Sequence, residues 1–336
     1  MYDTPYHSDS LNRCSFLVTG GAGFIGSNIV EYLLKYGARK VRVLDNFSTG
    51  FRKNTDLFKD NPAFELIEGD IRDIDTCKKA MAGMDYVSHQ AALGSVPRSI
   101  HDPVTTNAVN IGGFLNILVA AKNENSVKRL VYAASSSTYG DSNELPKKEG
   151  CEGKPLSPYA VTKLVNELYA DVFSKIYDLH TIGLRYFNIF GPRQDPHGAY
   201  AAVIPLFMQA AIDKTVPTIN GDGETSRDFT FVENAVQANV KALLNTVNLF
   251  KHEVVNIACG DRTTLNELWQ LISPLAGFNR KASYGPERPG DVKHSLATIT
   301  KASQLFGYSP KWKIKEGMEK TFKFYEENLA KKIDGV

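Results

Sequence analysis

Along the first 190 or so residues, short apolar runs alternate with stretches whose apolar positions recur at helical spacing. The runs Ser15–Thr19, Val41–Leu44, Phe64–Glu68, Tyr86–His89, Arg129–Ala133 and Thr181–Tyr186 have the length and continuous apolar character of buried parallel strands. Between them, Ile25–Tyr36 places Ile25, Ile29, Leu33 and Leu34 on one helical face, and further helices are predicted near Asp75–Ala82, Pro103–Asn123 and Pro158–Tyr177. This alternation predicts an α/β fold with a doubly wound parallel sheet. After Gly191 the pattern breaks up at Pro192, Pro196, Gly198 and Pro205, and a mixed region follows with segments at Pro217–Asn220 and Gly221–Arg227. Phe229–Leu244 and Val254–Ala258 read as a helix and a strand that return to the first sheet. The expected division is therefore a larger domain over 1–190 plus about 229–260, and a smaller mixed domain over 191–228 and 261–336. Ile314, Met318, Phe322, Tyr325 and Leu329 form one face of a terminal helix whose other face is charged.

The first strand runs into Gly20-Gly21-Ala22-Gly23-Phe24-Ile25-Gly26 and then into a helix, the context in which a glycine turn holds a phosphate. Gly20 permits the tight bend, Gly23 lets backbone N–H groups approach a pyrophosphate, and Gly26 allows close packing. The spacing is G-x-x-G-x-x-G, and Asp45 closes the second strand 19 residues after Gly26. A carboxylate there binds a ribose diol and repels a 2′-phosphate, which favours NAD over NADP. An ordinary strand-turn-helix with an aspartate capping the next loop has the same outline. With NAD in the turn, the sheet is of Rossmann type, with a smaller mixed C-terminal domain beside it.

The chain has 336 residues with 39 basic and 37 acidic side chains, a net charge of +2, so no basic field marks it for nucleic acid. Met1–Arg13 is polar and of mixed charge, and no stretch approaches 18 uninterrupted apolar residues, so neither export nor a membrane partner is expected. Cys14, Cys77, Cys151 and Cys259 lie far apart with no C-x-x-C pair, which argues against a metal site or a disulfide framework and fits the cytoplasm.

Tyr159 and Lys163 stand at i and i+4 of a predicted helix that opens on Ser-Pro. An ammonium beside a phenol, with a nicotinamide cation nearby, lowers the phenol's pKa and makes it a usable base. The same Y-x-x-x-K spacing at Tyr36 and Lys40 bridges a helix end and a strand, where the side chains diverge. The run Ser135-Ser136-Ser137-Thr138-Tyr139-Gly140 puts hydroxyls at the carboxyl end of a strand, where open α/β sheets bind ligands. A serine-rich turn that only caps the strand fits these residues equally well.

Taken together, the Gly20–Gly26 turn, Asp45-Asn46, Gly69-Asp70-Ile71, His89-Gln90-Ala91-Ala92, Asn110, Ser135–Gly140, Tyr159 with Lys163, Arg185-Tyr186-Phe187-Asn188, Arg227-Asp228 and Arg288-Pro289-Gly290-Asp291 resemble the extended short-chain dehydrogenase/reductase family. Within it the chain is most similar to the UDP-hexose 4-epimerases. Gly94-Ser95-Val96-Pro97-Arg98-Ser99 and the serine run resemble bacterial members that act on UDP-N-acetylhexosamines. The resemblance implies Ser135, Tyr159 and Lys163 as catalytic residues. It implies NAD contacts from Gly20, Gly23, Phe24, Ile25, Gly26, Asp45, Asn46, Phe47, Ser48 and Gly50, from Asp70 and Ile71 beside the adenine, from Gln90, Ala91 and Ala92, and from Asn110, Tyr159 and Lys163. For the substrate it implies Ser95, Ser135, Ser136, Ser137, Tyr159 and Asn188, with Ala202 and Val203 near the uridine diphosphate. Thr218 and Asn220 fall beside the uracil, Arg227 and Arg288 on the diphosphate, and Asp291 and Ser295 complete the set. A homodimer built on the Pro103–Asn123 and Pro158–Tyr177 helices is expected by the same likeness.

The implied reaction is reversible C4 epimerisation of UDP-N-acetylglucosamine and UDP-N-acetylgalactosamine through a 4-keto sugar. Tyr159 takes the 4-hydroxyl proton, directly or through Ser135. Relatives that dehydrate the sugar or decarboxylate a uronic acid need an acid beside the catalytic hydroxyl, whereas Ser136, Ser137 and Thr138 follow Ser135 here. Epimerases of UDP-glucose/UDP-galactose or of UDP-hexuronic acids, and the dehydratases and decarboxylases, are the alternatives. Ser295 falls where members restricted to unsubstituted hexoses carry a bulky tyrosine beside the sugar's C2, so room for an N-acetyl group is expected; a serine facing solvent fits the position too.

Overall fold

The computed structural model describes residues 1–196, 201–245, 251–287 and 293–333, with side chains to residue 328. In chain order, β1 (Ser15–Thr19) leads into α1 (Phe24–Lys35), β2 (Lys40–Asp45) into α2 (Arg52–Asp56), and β3 (Phe64–Glu68) into α3 (Ile74–Met81). Strand β4 (Tyr86–His89) is followed by α4 (Val96–His101), α5 (Pro103–Asn107), a π-helical turn (Ala108–Gly113) and α6 (Phe114–Lys122). Next come β5 (Arg129–Ser135), α7 (Pro158–Tyr177), β6 (Thr181–Tyr186), β7 (Ile189–Phe190) and α8 (Val203–Ile212). Then β8 (Thr218–Asn220), β9 (Ser226–Arg227) and β10 (Thr230–Phe231) precede α9 (Val232–Leu244), and β11 (His252–Ile257) and β12 (Thr263–Thr264) precede α10 (Leu265–Ile272). The order closes with β13 (Ser283–Gly285), α11 (Thr300–Phe306) and α12 (Ile314–Ile333).

Seven strands form one parallel sheet in the order β11-β6-β5-β4-β1-β2-β3. Every residue of β1 is buried, as a strand covered on both faces requires. One face packs on α1, α9 and α11 through Ile29, Leu33, Val236, Val240 and Ala302, the other on α3, α6 and α7 through Met81, Phe114, Ile117 and Phe173. Growth of the sheet reverses between β1 and β4, which opens a crevice beyond their carboxyl ends. A third core gathers Phe190, Phe207, Met208, Trp269, Met318, Phe322 and Tyr325 beside the sheet domain, and the first turn of α9 joins it through Val232.

The sheet class and the Phe64–Glu68, Tyr86–His89 and Thr181–Tyr186 strands agree with the sequence pattern. Strand β5 runs two residues further than expected, to Ser135, which carries that hydroxyl to the sheet edge. The helix expected over Pro103–Asn123 is interrupted by its π-helical turn. Gly112 and Gly113 weaken the helix there, and Gly113 lies so close to Ile71 that a Cβ would stand 2.5 Å from its side chain. The helix expected from Phe229 starts at Val232 because Thr230–Phe231 pairs with β7 instead.

Candidate active site

A cavity of about 610 Å³ follows the carboxyl ends of β1 to β6. Gly20, Gly23, Phe24, Ile25 and Gly26 line its floor. Gly20 has φ +69°, and a Cβ on Gly26 would lie 2.1 Å from the Gly20 carbonyl oxygen, so both positions require glycine. The Asp45 carboxylate accepts Ala22 N at 2.9 Å and Phe47 N at 2.8 Å, which ties the end of β2 to the glycine turn. Burial raises the Asp45 pKa against the pull of those two amides. Each carboxylate oxygen retains an acceptor position, so Asp45 still suits a ribose diol. The donor set thus fits a dinucleotide: a helix N-terminus for the pyrophosphate, space where side chains would intrude, and an acid at the end of β2.

Asn46, Ser48, Gly50, Ile71, Gln90, Ala91 and Ala92 also line the cavity. Phe47, Asp70 and Asn110, expected at the cofactor, are outside the lining. Phe47 lies under the Arg52 guanidinium, with the guanidinium carbon 4.3 Å from the ring centroid. The Asp70 carboxyl is paired with Arg72, which together with Asn46 holds its pKa down at about 2. Asn110 accepts Leu93 N at 2.8 Å and donates to Thr162 Oγ1 at 3.1 Å, so it fastens the loop after β4 to α7. Beneath Gln90, a polar network joins Ser88, Asn239 and Tyr186.

At the other end, β5 delivers Ser135 and α7 delivers Tyr159 and Lys163 to the same wall. Ser135 Oγ accepts Ser137 N at 3.1 Å and Ser137 Oγ–H at 2.9 Å, and hydrogen-bonds Tyr159. Ser136 lines the cavity; Ser137 backs Ser135. Burial raises the Tyr159 pKa while the bond to Ser135 opposes it, so the protein by itself does not produce the lowering expected from the Tyr-Lys spacing. Lys163 Nζ donates to the Ala133 carbonyl at 2.7 Å, and burial pulls its pKa down to about 8. Its ammonium is 5.8 Å from the Tyr159 ring centroid and reaches the wall rather than the phenol oxygen.

Of the other expected substrate residues, Ser95, Asn188 and Ala202 line the cavity, and Val203 opens α8 next to Ala202. Thr218 and Asn220 lie on β8, paired with β13, away from the cavity lining. Arg227, on β9, donates to the Lys293 carbonyl. Ser295 is half-buried, and its amide donates to Ser226 O at 3.0 Å, which brings it beside Arg227. Arg288 and Asp291 lie outside the described residues. Asp228 anchors this side: its buried carboxylate accepts Cys259 N, Gly260 N and Ala297 N, and its carbonyl accepts Asn188 Nδ2. Burial pushes its pKa up to about 7 despite those donors.

Sequence reasoning missed Thr49, Leu93, Tyr186, Gln194 and Asp195 in the lining. Tyr186 ends a predicted strand, and the rule that ligands sit at carboxyl ends could have found it. Gln194 and Asp195 follow the Gly191-Pro192 break and carry no pattern.

A model of the NAD dependent epimerase/dehydratase family matches residues 16–258. The fold is similar to the UDP-N-acetylglucosamine 4-epimerase from Methanobrevibacter ruminantium M1 in complex with UDP-N-acetylmuramic acid, with TM-score 0.88 and 39% identity over 94% of this chain and 99% of that one. It is also similar to the UDP-glucuronic acid 4-epimerase from Bacillus cereus in complex with UDP-glucuronic acid and NAD, with TM-score 0.86 and 30% identity over 94% and 99% of the two chains. The UDP-glucose 4-epimerase of Mycolicibacterium smegmatis is 34% identical over 311 residues, 92% of this chain and 97% of that protein. With the glycine turn, Asp45 and the Ser135 and Tyr159 hydroxyls lining one cavity and likeness along nearly its whole length, the chain belongs to the NAD dependent epimerase/dehydratase family, and its cofactor is NAD.

Proposed function

We propose that the protein is a UDP-sugar 4-epimerase that interconverts UDP-N-acetylglucosamine and UDP-N-acetylgalactosamine. The observation that carries the reading is the wall formed by Ser135, Tyr159 and Lys163 beside the glycine turn, with hydroxyls and no carboxylate at the three positions after Ser135. NAD held by the glycine turn and Asp45 would supply a reversible hydride acceptor, so that no net oxidation occurs. Tyr159 removes the 4-hydroxyl proton, and Ser135, already bonded to Tyr159, holds the sugar oxygen or relays the proton. Lys163 braces α7 against β5 through Ala133 and adds positive charge near the phenol.

Acceptance of the acetamido group rests on Ser295, a small side chain held next to Arg227 by the hydrogen bond of its amide to Ser226. The likeness to the M. ruminantium UDP-N-acetylglucosamine 4-epimerase supports it. Arg98 in the cavity lining favours a second reading, an acidic UDP-sugar as substrate. The segments 191–228 and 261–336, whose core also takes in Phe190, Phe229, Phe231 and Val232, are assigned to substrate, and the sheet domain to NAD. Val161, Leu168, Val172 and Ile176 leave an exposed apolar stripe along α7, continued by Ile100 and Val104, and we assign it to a homodimer contact in a cytoplasmic protein.

Proton NMR of the anomeric region after mixing the protein with UDP-N-acetylgalactosamine tests the reading. A fixed ratio of the two acetamido sugars, reached without added NAD, is the expected result. Turnover of UDP-galactose alone would overturn the acetamido assignment, and a new keto or pentose product would overturn epimerisation.

A further inference from the structure

The amides at the start of α7 are satisfied in an unusual division of labour. Ser157 caps the helix, its side chain accepting Ala160 N at 3.1 Å and its carbonyl accepting Val161 N at 3.0 Å. Pro158 has no N–H to satisfy. That leaves the amide of Tyr159, which donates at 3.0 Å to Ser99 Oγ on another helix, 60 residues earlier in the chain. Ser99 is fully buried. Its hydroxyl proton goes to the Val96 carbonyl at 2.7 Å, so the oxygen lone pairs are turned toward Tyr159. The Ser99 amide in turn donates to the Ser95 carbonyl at 3.1 Å, and Ser95 lines the cavity. Ser99 therefore joins the backbone of the proposed base, through its hydroxyl, to Ser95 in the cavity lining, through its amide.

We propose that Ser99 is a positioning residue for the reaction: it fixes the first turn of α7 against α4, and so sets the reach of the Tyr159 phenol to Ser135 and to a sugar lying against Ser95. Lys163 holds α7 one turn later from the opposite side, through Ala133 on β5. With both ties the tyrosine has one place to stand; with the Ser99 hydroxyl gone, the part-buried Tyr159 amide loses its acceptor and the first turn shifts. The inference rests on the epimerase reading above.

The test compares Ser99→Ala and Ser99→Cys with the parent protein. For Ser99→Ala, kcat on UDP-N-acetylgalactosamine is expected to fall about 10- to 100-fold, the order that ångström-scale misplacement causes, with KM little changed. The acid limb of the kcat–pH profile is expected at higher pH, since a longer Tyr159–Ser135 bond favours the phenolate less. Exchange of the Tyr159 amide is expected to accelerate. Ser99→Cys keeps the packing with a weaker acceptor and is expected to fall between. Parental kcat and acid limb in Ser99→Ala overturn the proposal, as does a loss of kcat without faster Tyr159 exchange. Should Ser99→Ala fail to fold, parental kcat and acid limb in Ser99→Cys overturn it. If the parent protein turns over no UDP-sugar, the epimerase reading fails, and the exchange rates still decide whether Ser99 holds Tyr159.

Discussion

The half of the cavity assigned to NAD is assembled from a backbone turn and one carboxylate at the ends of adjacent strands, whereas the half assigned to the sugar is assembled from side chains that reach across long stretches of sequence. Gly20, Gly26 and Asp45 all lie within the first two strand-helix units, and their geometry is set by a turn that admits no larger residue. On the sugar side, Asp228 gathers Cys259, Gly260 and Ala297, and Asn110 gathers Leu93 and Thr162. One half is preformed by local geometry, and the other depends on tethers between segments distant in sequence. Substitutions therefore separate them: changes in the turn are expected to alter cofactor retention, and changes in the tethers to alter turnover or specificity with NAD still bound.

The sharpest separation is Tyr159→Phe. Turnover is expected to drop about 10²- to 10⁴-fold while the NAD content of the purified protein, read by absorbance after denaturation, stays at the parental level. Near-parental rates would remove the phenol from the proposed mechanism. Next in size, Ser295→Tyr should lower turnover of the acetamido sugars by roughly 10- to 200-fold and spare UDP-galactose, a contrast of the order that steric exclusion in a pocket gives. Equal loss on both sugars would place Ser295 outside the specificity contact. Gly26→Ala acts on the other half. Its Cβ would meet the Gly20 carbonyl, and the strain of about 1–3 kcal/mol should appear as weaker NAD retention in dialysis, with the sugar preference of the NAD-reloaded protein unchanged.

The smallest effect is in stability against pH. Asp228 has a folded-state pKa of about 7, above its ordinary 3.8, so the folded chain holds that proton more tightly than the unfolded one. Its contribution to stability is full below 3.8 and is lost as pH rises through about 7. His89, buried under the cofactor turn and bonded to Thr19, has its pKa lowered from 6.5 to about 3, so its contribution is present above 6.5 and lost as pH falls through about 3. Urea unfolding of Asp228→Asn should show about 1–3 kcal/mol less stability at low pH and a flatter profile between pH 4 and 7. An unchanged slope would mean that Asp228 does not titrate in that window.

The same contrast explains what could be read from the chain alone. Strands buried on both faces and a glycine turn leave local signals, so the sheet, the turn and Asp45 were legible from neighbouring residues. The i, i+4 spacing found Tyr159 and Lys163, but it carried no information about burial, which raises the phenol's pKa and sends Lys163 to Ala133. Asn110, expected at the cofactor, sits in the π-helical turn and bonds Leu93 and Thr162, partners that helical spacing does not announce. Gln194 and Asp195 reach the cavity from an irregular segment whose path is set by contacts with distant elements, and no periodicity announces such a path.

Helix α7 presents Tyr159 and Lys163 inward and Val161, Leu168, Val172 and Ile176 outward. Under the proposed homodimer, that outer stripe makes the integrity of the catalytic helix subject to mass action. The folded state would then gain from association, and its melting temperature would rise with protein concentration. A dilute solution would hold a less durable catalyst than a concentrated one of identical sequence.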